Sequence, residues 1–506
     1  MRILRQRMSR AVRPSYSLFG LLVAAMAWGP DPADAQYFGR NKVQYDTFDF
    51  QVLKTPHFDF HYYPEEGEAI EDAARQAERW YERFARTFQH EFEAPKPVIM
   101  YADHPDFQQT NTLSGTLSEG TGGVTESIKN RVIMPFTGSY WETDHVLGHE
   151  LVHAFQYNVA GSASGGGLQG LFRNPLWLIE GMAEFMSVGR EDPLTAMWLR
   201  DALLRDDFPT IRSMTTDRRF FPYRFGQALW AYIGGTWGDD AVVQVFRRSL
   251  RVGFGAALEQ VLGMHPDTLS IRWRESVEEE YLPLMAGRTP PGESGALLLS
   301  PATDAGRQNV SPAVSPDGKY VAFLSEKDLF SIDLFLADAR TGEILKKLVS
   351  ANADPHFDAL RFIDSAGTWS PDGRYFAFVV FANGDNELAI LDVEKRDVVQ
   401  RIKTPGVGAI SNPAWSPNGQ AIAFSGQVGG FSDLYLVFVE TEEMVRRSLE
   451  MGKIIALPIV DPKAGEIVPF KVDDPDRDIR LGYGGIREPD PQRCKQIPIP
   501  HIHLAI

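Results

Sequence analysis

One template written three times constrains this chain more than anything else in it. The segments SPAVSPDGKYVAFLS (311–325), AGTWSPDGRYFAFVV (366–380) and NPAWSPNGQAIAFSG (412–426) share a Ser-Pro-Asp/Asn-Gly turn followed by an apolar strand. A second strand follows each, in DLFLAD, ELAILD and DLYLVF. The turn serines Ser315, Ser370 and Ser416 stand 55 and 46 residues apart. Proline and Asp-Gly or Asn-Gly make the tight turn, and the residues after it carry the chain back as a strand. Repeats of that length, with several strands each, bury their faces by stacking as blades of a β-propeller. Such rings typically need at least four blades to close, and three are legible in 309–440. Either other blades have diverged or the propeller is incomplete. The tail, 441–506, matches no blade and reads as divergent or irregular, and its last part, 474–506, has loop-like composition.

The first half has a different texture. HFDFHYYP (57–64) alternates as a half-buried strand does, and KPVIMYA and NRVIMPF (130–136) read as two more. Between the first two, Ile70, Ala74, Ala77, Trp80, Phe84 and Phe88 recur three or four apart and make one apolar helical stripe. From 190 to 285 helical patterns dominate, so 36–288 reads as an α+β unit with a helical second half. A Gly/Pro/Ser/Thr-rich linker (289–308) joins it to the all-β part, and the chain is multidomain.

HVLGHELVHAFQY (145–157) places three of the chain's 11 histidines at four-residue intervals. On a helix, residues four apart share a face, so His149 and His153 can address one cation with Glu150 beside them. Hydrolytic zinc usually keeps three protein ligands and an open position. NPLWLIEGMAEFMS (174–187) supplies the third, because this apolar segment carries Glu180 and Glu184 four apart, and an unpaired buried charge is costly. His145 cannot join the same ion, since successive turns lie about 5.4 Å apart and Zn–N bonds span only about 2 Å. It reads as a helix-start or outer group. His501 and His503 in the tail read as solvated.

The two motifs together resemble the gluzincin metallopeptidases, in particular the peptidase MA-like group. That resemblance spans most of 56–285 and implies a zincin-like fold, with His149, His153 and Glu180 as zinc ligands. It further implies Glu150 as general base and Glu184 as a group orienting a ligand histidine. Tyr223 is the candidate oxyanion donor, with Tyr232 as its competitor. The implied reaction is hydrolysis of a peptide or protein substrate by zinc-activated water. Zinc aminopeptidases carry G-x-M-E-N just before the metal helix, whereas this chain reads Gly122-Gly123-Val124-Thr125-Glu126, which weakens an exopeptidase assignment. The three repeats resemble those of the TolB-like propeller family.

Residues 1–35 have the layout of a secretory signal: five arginines and no acid in 1–17, a 12-residue apolar run, then small residues up to Ala35. The run is too short to span a membrane. The expected location is periplasmic or extracellular. Removing the signal moves the net charge from −16 to −19, through loss of five Arg and two Asp, which excludes nucleic acid as a partner. An envelope protein or glycan is the kind of partner the propeller would take. With Cys494 alone no internal disulfide can form. Two other functions compete. A non-catalytic scaffold with a vestigial site has no reason to keep Glu150. A propeller-linked serine peptidase needs a G-x-S-x-G elbow, which 441–506 lacks.

Overall fold

The computed structural model describes residues 44–113, 117–162, 167–328, 332–350, 359–360, 367–439, 455–461, 466–473, 475–481, 487–496 and 504–505. The proposed signal, His501 and His503 lie outside them. No described helix is long and apolar enough to cross a membrane.

Strands β1 (Gln51–Lys54), β2 (Phe58–Tyr62), β3 (Lys96–Tyr101), β4 (Val124–Glu126) and β5 (Arg131–Pro135) form one sheet in the order β1-β2-β3-β5-β4. β2, β3 and β5 run parallel, whereas β4 pairs antiparallel with β5 and lies at the sheet edge. The apolar stripe predicted between β2 and β3 is helix α1 (Gly67–Phe88), which buries Ile70, Ala73, Ala74, Ala77, Tyr81, Phe84 and Phe88. Trp80 is only partly buried, and its Nε1 donates to the Asp144 carbonyl.

A short helix, α2 (His104–Gln108), follows β3, and the histidine segment is α3 (Tyr140–Gly161). Then come α4 (Leu168–Phe172), α5 (Leu176–Val188), α6 (Pro193–Leu204), α7 (Ile211–Thr216), α8 (Pro222–Trp237), α9 (Asp239–Val252), α10 (Phe254–Leu262) and α11 (Pro266–Met285). One core joins sheet and helices, with Trp177, Trp230 and Trp273 fully buried in it. Helices α5 and α8 meet backbone to backbone at Gly181 and Gly226. A β-carbon on Gly181 would lie 2.4 Å from the Gly226 Cα.

The repeats form three blades among the described residues. The first is β6 (Asn309–Val314), β7 (Tyr320–Ser325), β8 (Asp333–Asp338) and β9 (Ile344–Val349). In the second, β10 (Ala359–Leu360) and β11 (Thr368–Trp369) pair with β12 (Tyr375–Ala382), followed by β13 (Asp385–Asp392) and β14 (Asp397–Ile402). The third is β15 (Ala409–Trp415), β16 (Ala421–Val428) and β17 (Phe431–Phe438). The shared turn has a common hydrogen-bond plan. Ser315, Ser370 and Ser416 each accept the backbone N–H five residues on and bond the Asp or Asn two residues on. The turn glycines Gly318, Gly373 and Gly419 sit at φ +71, +73 and +75, where L side chains are strained.

Within the linker, Leu298 and Leu299 pack against the first blade. In the tail, read from sequence as divergent or irregular, β18 (Ile455–Asp461) and β19 (Glu466–Val472) form an antiparallel hairpin. Its IALPIVD and EIVPFKV are rich in β-branched residues, a signal that outweighs the prolines.

The third blade reaches back to the first unit. Gln427 is buried, and its Nε2 donates to the carbonyls of Ala102 at 2.7 Å and Phe136 at 2.9 Å. Ser432 N donates to the Gly138 carbonyl at 3.0 Å. Gly430, at φ +90, lets the hairpin tip lie against Ala69 and Phe136. In the second blade, the Gly384 carbonyl accepts from Gln109.

Candidate metal centre

Ser139 caps α3, its Oγ accepting from Glu142 N. The helix is crossed closely by α1, since a β-carbon on Gly148 would lie 2.8 Å from the Trp80 ring. This packing leaves His149, Glu150 and His153 buried on one face, 8%, 5% and 7% exposed. Helix α5 brings its two carboxylates into the gaps between the histidines, in the order His145, Glu184, His149, Glu180, His153.

The inner end of this zipper converges on one point. His149 Nε2 and His153 Nε2 lie 3.1 Å apart, and Glu180 Oε2 is 3.3 Å from the first and 3.1 Å from the second. A tetrahedral zinc with bonds of about 2.0–2.1 Å separates its ligand atoms by about 3.3 Å. The donor set, two imidazoles and a carboxylate, suits that ion, and these residues fit it.

The outer nitrogens are managed separately. His153 Nδ1 lies 2.9 Å from Gln156 Oε1, and Gln156 Nε2 donates to the Ile179 carbonyl. His149 Nδ1 faces Glu184 Oε1 at 3.1 Å, and His145 Nε2 faces the same oxygen at 3.4 Å. Glu184 Oε2 is held by Arg224 at 3.3 Å, and Arg224 in turn by Asp192 at 3.2 Å. Glu184 therefore sits behind His149, on the side away from the point where His149 Nε2, His153 Nε2 and Glu180 Oε2 meet, and His145 lies further out. His145, His149 and Glu184 also bring ligand-type atoms within 4.8 Å of one another, but Arg224 already neutralises that carboxylate.

Electrostatics follow from this crowding. Burial opposes charge on His149, yet hydrogen bonding to Glu180 and Glu184 outweighs it and raises the imidazole to about 10. Burial pushes Glu180 and Glu184 up, but the histidines win and hold both well below the carboxylate range.

Glu150 lies beside the candidate ligands and is not one of the converging group. Thr125 Oγ1, on β4, donates to Glu150 Oε2 at 2.6 Å. Gly123 allows the close approach, because a β-carbon there would lie 2.9 Å from Glu150 Cγ. Glu126 is turned to other work, its carboxylate bonded by Arg131 Nε at 2.7 Å across the β4–β5 hairpin. Tyr223 stacks on His149 with ring centroids 5.8 Å apart, and burial and the charge of Glu180 raise its phenol. Tyr232 instead packs edge-on against Trp237. A second tyrosine was missed in the sequence. Tyr157 follows His153 by one turn, and its phenol is pushed up to about 12 by burial and by the charges of Glu180 and Glu150. Gln156, Thr125 and Arg224 were missed too. Only their adjacency to the motif residues could have signalled them.

The two glutamates separate in a metal-content experiment. Loss of an orienting partner typically costs about 10- to 100-fold in affinity, so Glu184→Gln is expected to fall in that range and Glu180→Gln to lose more. Zinc occupancy after dialysis at fixed free zinc measures both. Equal losses, or none, would overturn the ligand assignment.

No family model matches the chain. Over 112 residues it is 29% identical to the Tol-Pal system protein TolB of Hydrogenovibrio crunogenus (strain DSM 25203 / XCL-2), covering 22% of each chain. Among solved structures it is similar to TolB from Acinetobacter baumannii, at 23% identity and TM-score 0.23, over 34% of this chain and 46% of that one. It is also similar to a putative TolB from Agrobacterium tumefaciens, at 16% identity and TM-score 0.21, over 37% and 64% of the two chains. The chain thus spans under a quarter of the curated relative, and what the sequence match supports is TolB-like propeller homology.

Proposed function

We propose that this chain is an exported, zinc-dependent endopeptidase whose propeller binds substrate or a partner. The observation that carries this is the convergence of His149 Nε2, His153 Nε2 and Glu180 Oε2 within 3.3 Å, with the buried Glu150 alongside. His149, His153 and Glu180 would hold the zinc, which would lower the pKa of a bound water and polarise the scissile carbonyl. Glu150, oriented by Thr125, takes the proton of the attacking water and passes it to the leaving amine. The Tyr223 phenol, kept protonated by its surroundings, donates to the developing oxyanion. β4 lies at the sheet edge and offers backbone groups along which an extended substrate can pair. Internal cleavage is favoured because Glu126, the acid nearest to where an aminopeptidase would hold a free amine, is engaged by Arg131.

A library of unstructured peptides with acetylated N-termini tests this. Internal cleavage is expected, abolished by a zinc chelator and restored by added zinc. A full-length chain that binds zinc yet cleaves nothing in the library would favour a non-catalytic envelope scaffold instead.

A further inference from the structure

The third blade touches the first unit at a sensitive place. Phe136–Ser139 is the loop that leads from β5 into the metal helix. Phe136 N donates to the Tyr101 carbonyl at the end of β3 at 2.8 Å, Thr137 Oγ1 bonds Thr143 Oγ1 at 3.0 Å, and Ser139 caps the helix. From the third blade, the β16–β17 hairpin adds further holds on this loop. Gln427 Nε2 ties Phe136 O to Ala102 O, so one amide nitrogen joins the ends of the neighbouring parallel strands β3 and β5. Gly138 pairs with Phe431 in a parallel bridge and accepts from Ser432 N. Gly138 suits this place because its φ of +80 strains any L side chain, and a β-carbon would also lie 2.1 Å from Ser432 Oγ.

The same hairpin tip also touches the start of α1. Gly429 approaches the Glu65 carbonyl, 2.5 Å from where its β-carbon would be, and Gly430 meets Ala69. Helix α1 is the one whose Trp80 lies on Gly148, immediately before His149. Two routes therefore run from residues 427–432 to the ligands, one along the start of α3 and one across α1.

We infer that the β16–β17 hairpin belongs to the scaffold of the metal centre, with Gln427 as a positioning residue that sets the start of the metal helix. The inference rests on reading His149, His153 and Glu180 as a metal site. It also means that residues 36–288, although they hold every proposed reacting group, lack part of what holds those groups in place. A partner seated on the propeller would be felt at the metal through this hairpin.

Gln427→Met in the full chain keeps the side-chain length and removes both donated bonds. Hydrogen exchange of the metal-free variant is expected to speed up about tenfold in 136–143, with the strands of the first blade unchanged. Its zinc affinity is expected to fall about tenfold, as for loss of an outer positioning contact, while melting stays well above the assay temperature. Coupling is reciprocal, so zinc added to the wild type should in turn slow exchange in 427–432, a measurement that holds even if the variant does not fold. Zinc protection confined to α3 and α5, or a variant whose zinc affinity stays within twofold of wild type, would overturn the inference. A wild type that binds no zinc would sink the metal reading alone, because the exchange of the metal-free variant still reports the latch.

Discussion

Glu150→Gln is expected to lower peptide turnover about 10²- to 10⁴-fold, the usual cost of removing a general base, while zinc content and melting temperature stay at wild-type values. The geometry separates these effects. Glu150 is 5% exposed, so its carboxylate is shielded from bulk water. Neither of its oxygens is among the three atoms, two imidazole nitrogens and one Glu180 oxygen, that converge on the proposed ion. Glutamine is the same size and its amide oxygen can still accept from Thr125, so the contact at 2.6 Å has a replacement. What glutamine cannot do is carry a proton from water to a leaving amine. Single-turnover hydrolysis of one cleaved library peptide, with metal content measured on the same sample, is the deciding measurement. Equal turnover in both proteins would rule out the assigned catalysis, and loss of zinc along with turnover would mean that Glu150 helps to hold the ion.

The second large effect is one of packing. Gly181→Ala places a methyl 2.4 Å from the Gly226 Cα and 2.5 Å from its carbonyl carbon, and Gly226→Ala places one 2.4 Å from the Trp177 carbonyl oxygen. The obstructing atoms are all backbone, so no side chain can rotate away and the two helices must move apart. Overpacking usually costs 1–3 kcal/mol and occasionally more, and a backbone clash belongs at the upper end, at about 3 kcal/mol. An alanine in a helix otherwise gains about 1 kcal/mol over glycine, so helix propensity and packing predict opposite signs. We expect packing to win, with melting lowered by about 4–8 °C for the net 2 kcal/mol. The same separation draws Glu180 and Glu184 away from Tyr223 and Arg224, so zinc affinity should fall as well. An unchanged or raised melting temperature would show that the helices part freely.

Much of this architecture was legible because it depends on local pattern. The stripe of α1 follows from spacing alone, and so do the three turns, where serine, proline, an acid or amide and glycine each have a distinct job. The convergence of His149, His153 and Glu180 was legible for a similar reason: four-residue spacing on two helices needs only that the helices meet. Less legible was whatever depends on distant chain. Thr125 looks like any strand threonine until β4 is laid against α3. Gln156 on α3 and Arg224 on α8 have no meaning until α5 supplies the Ile179 carbonyl and Glu184. The tail hairpin was hidden by prolines at 458 and 469, which face each other across the strands in the observed register. Gln427 was the least visible of all, since its two acceptors lie 325 and 291 residues earlier.

That separation has a consequence in time. The Phe136 carbonyl is made 291 residues before the amide that binds it. At about 5–20 residues per second, its partner arrives roughly 15 to 60 s later. During that interval α3 can form and its histidines can meet Glu180, but the loop in front of them lacks the bonds that Gln427 and Ser432 supply. The histidine helix is therefore written early and finished late. A hydrolase assembled in this order would acquire its full working geometry only after the third blade had folded, which leaves a newborn chain with a blunted site while its own unfolded segments are still within reach.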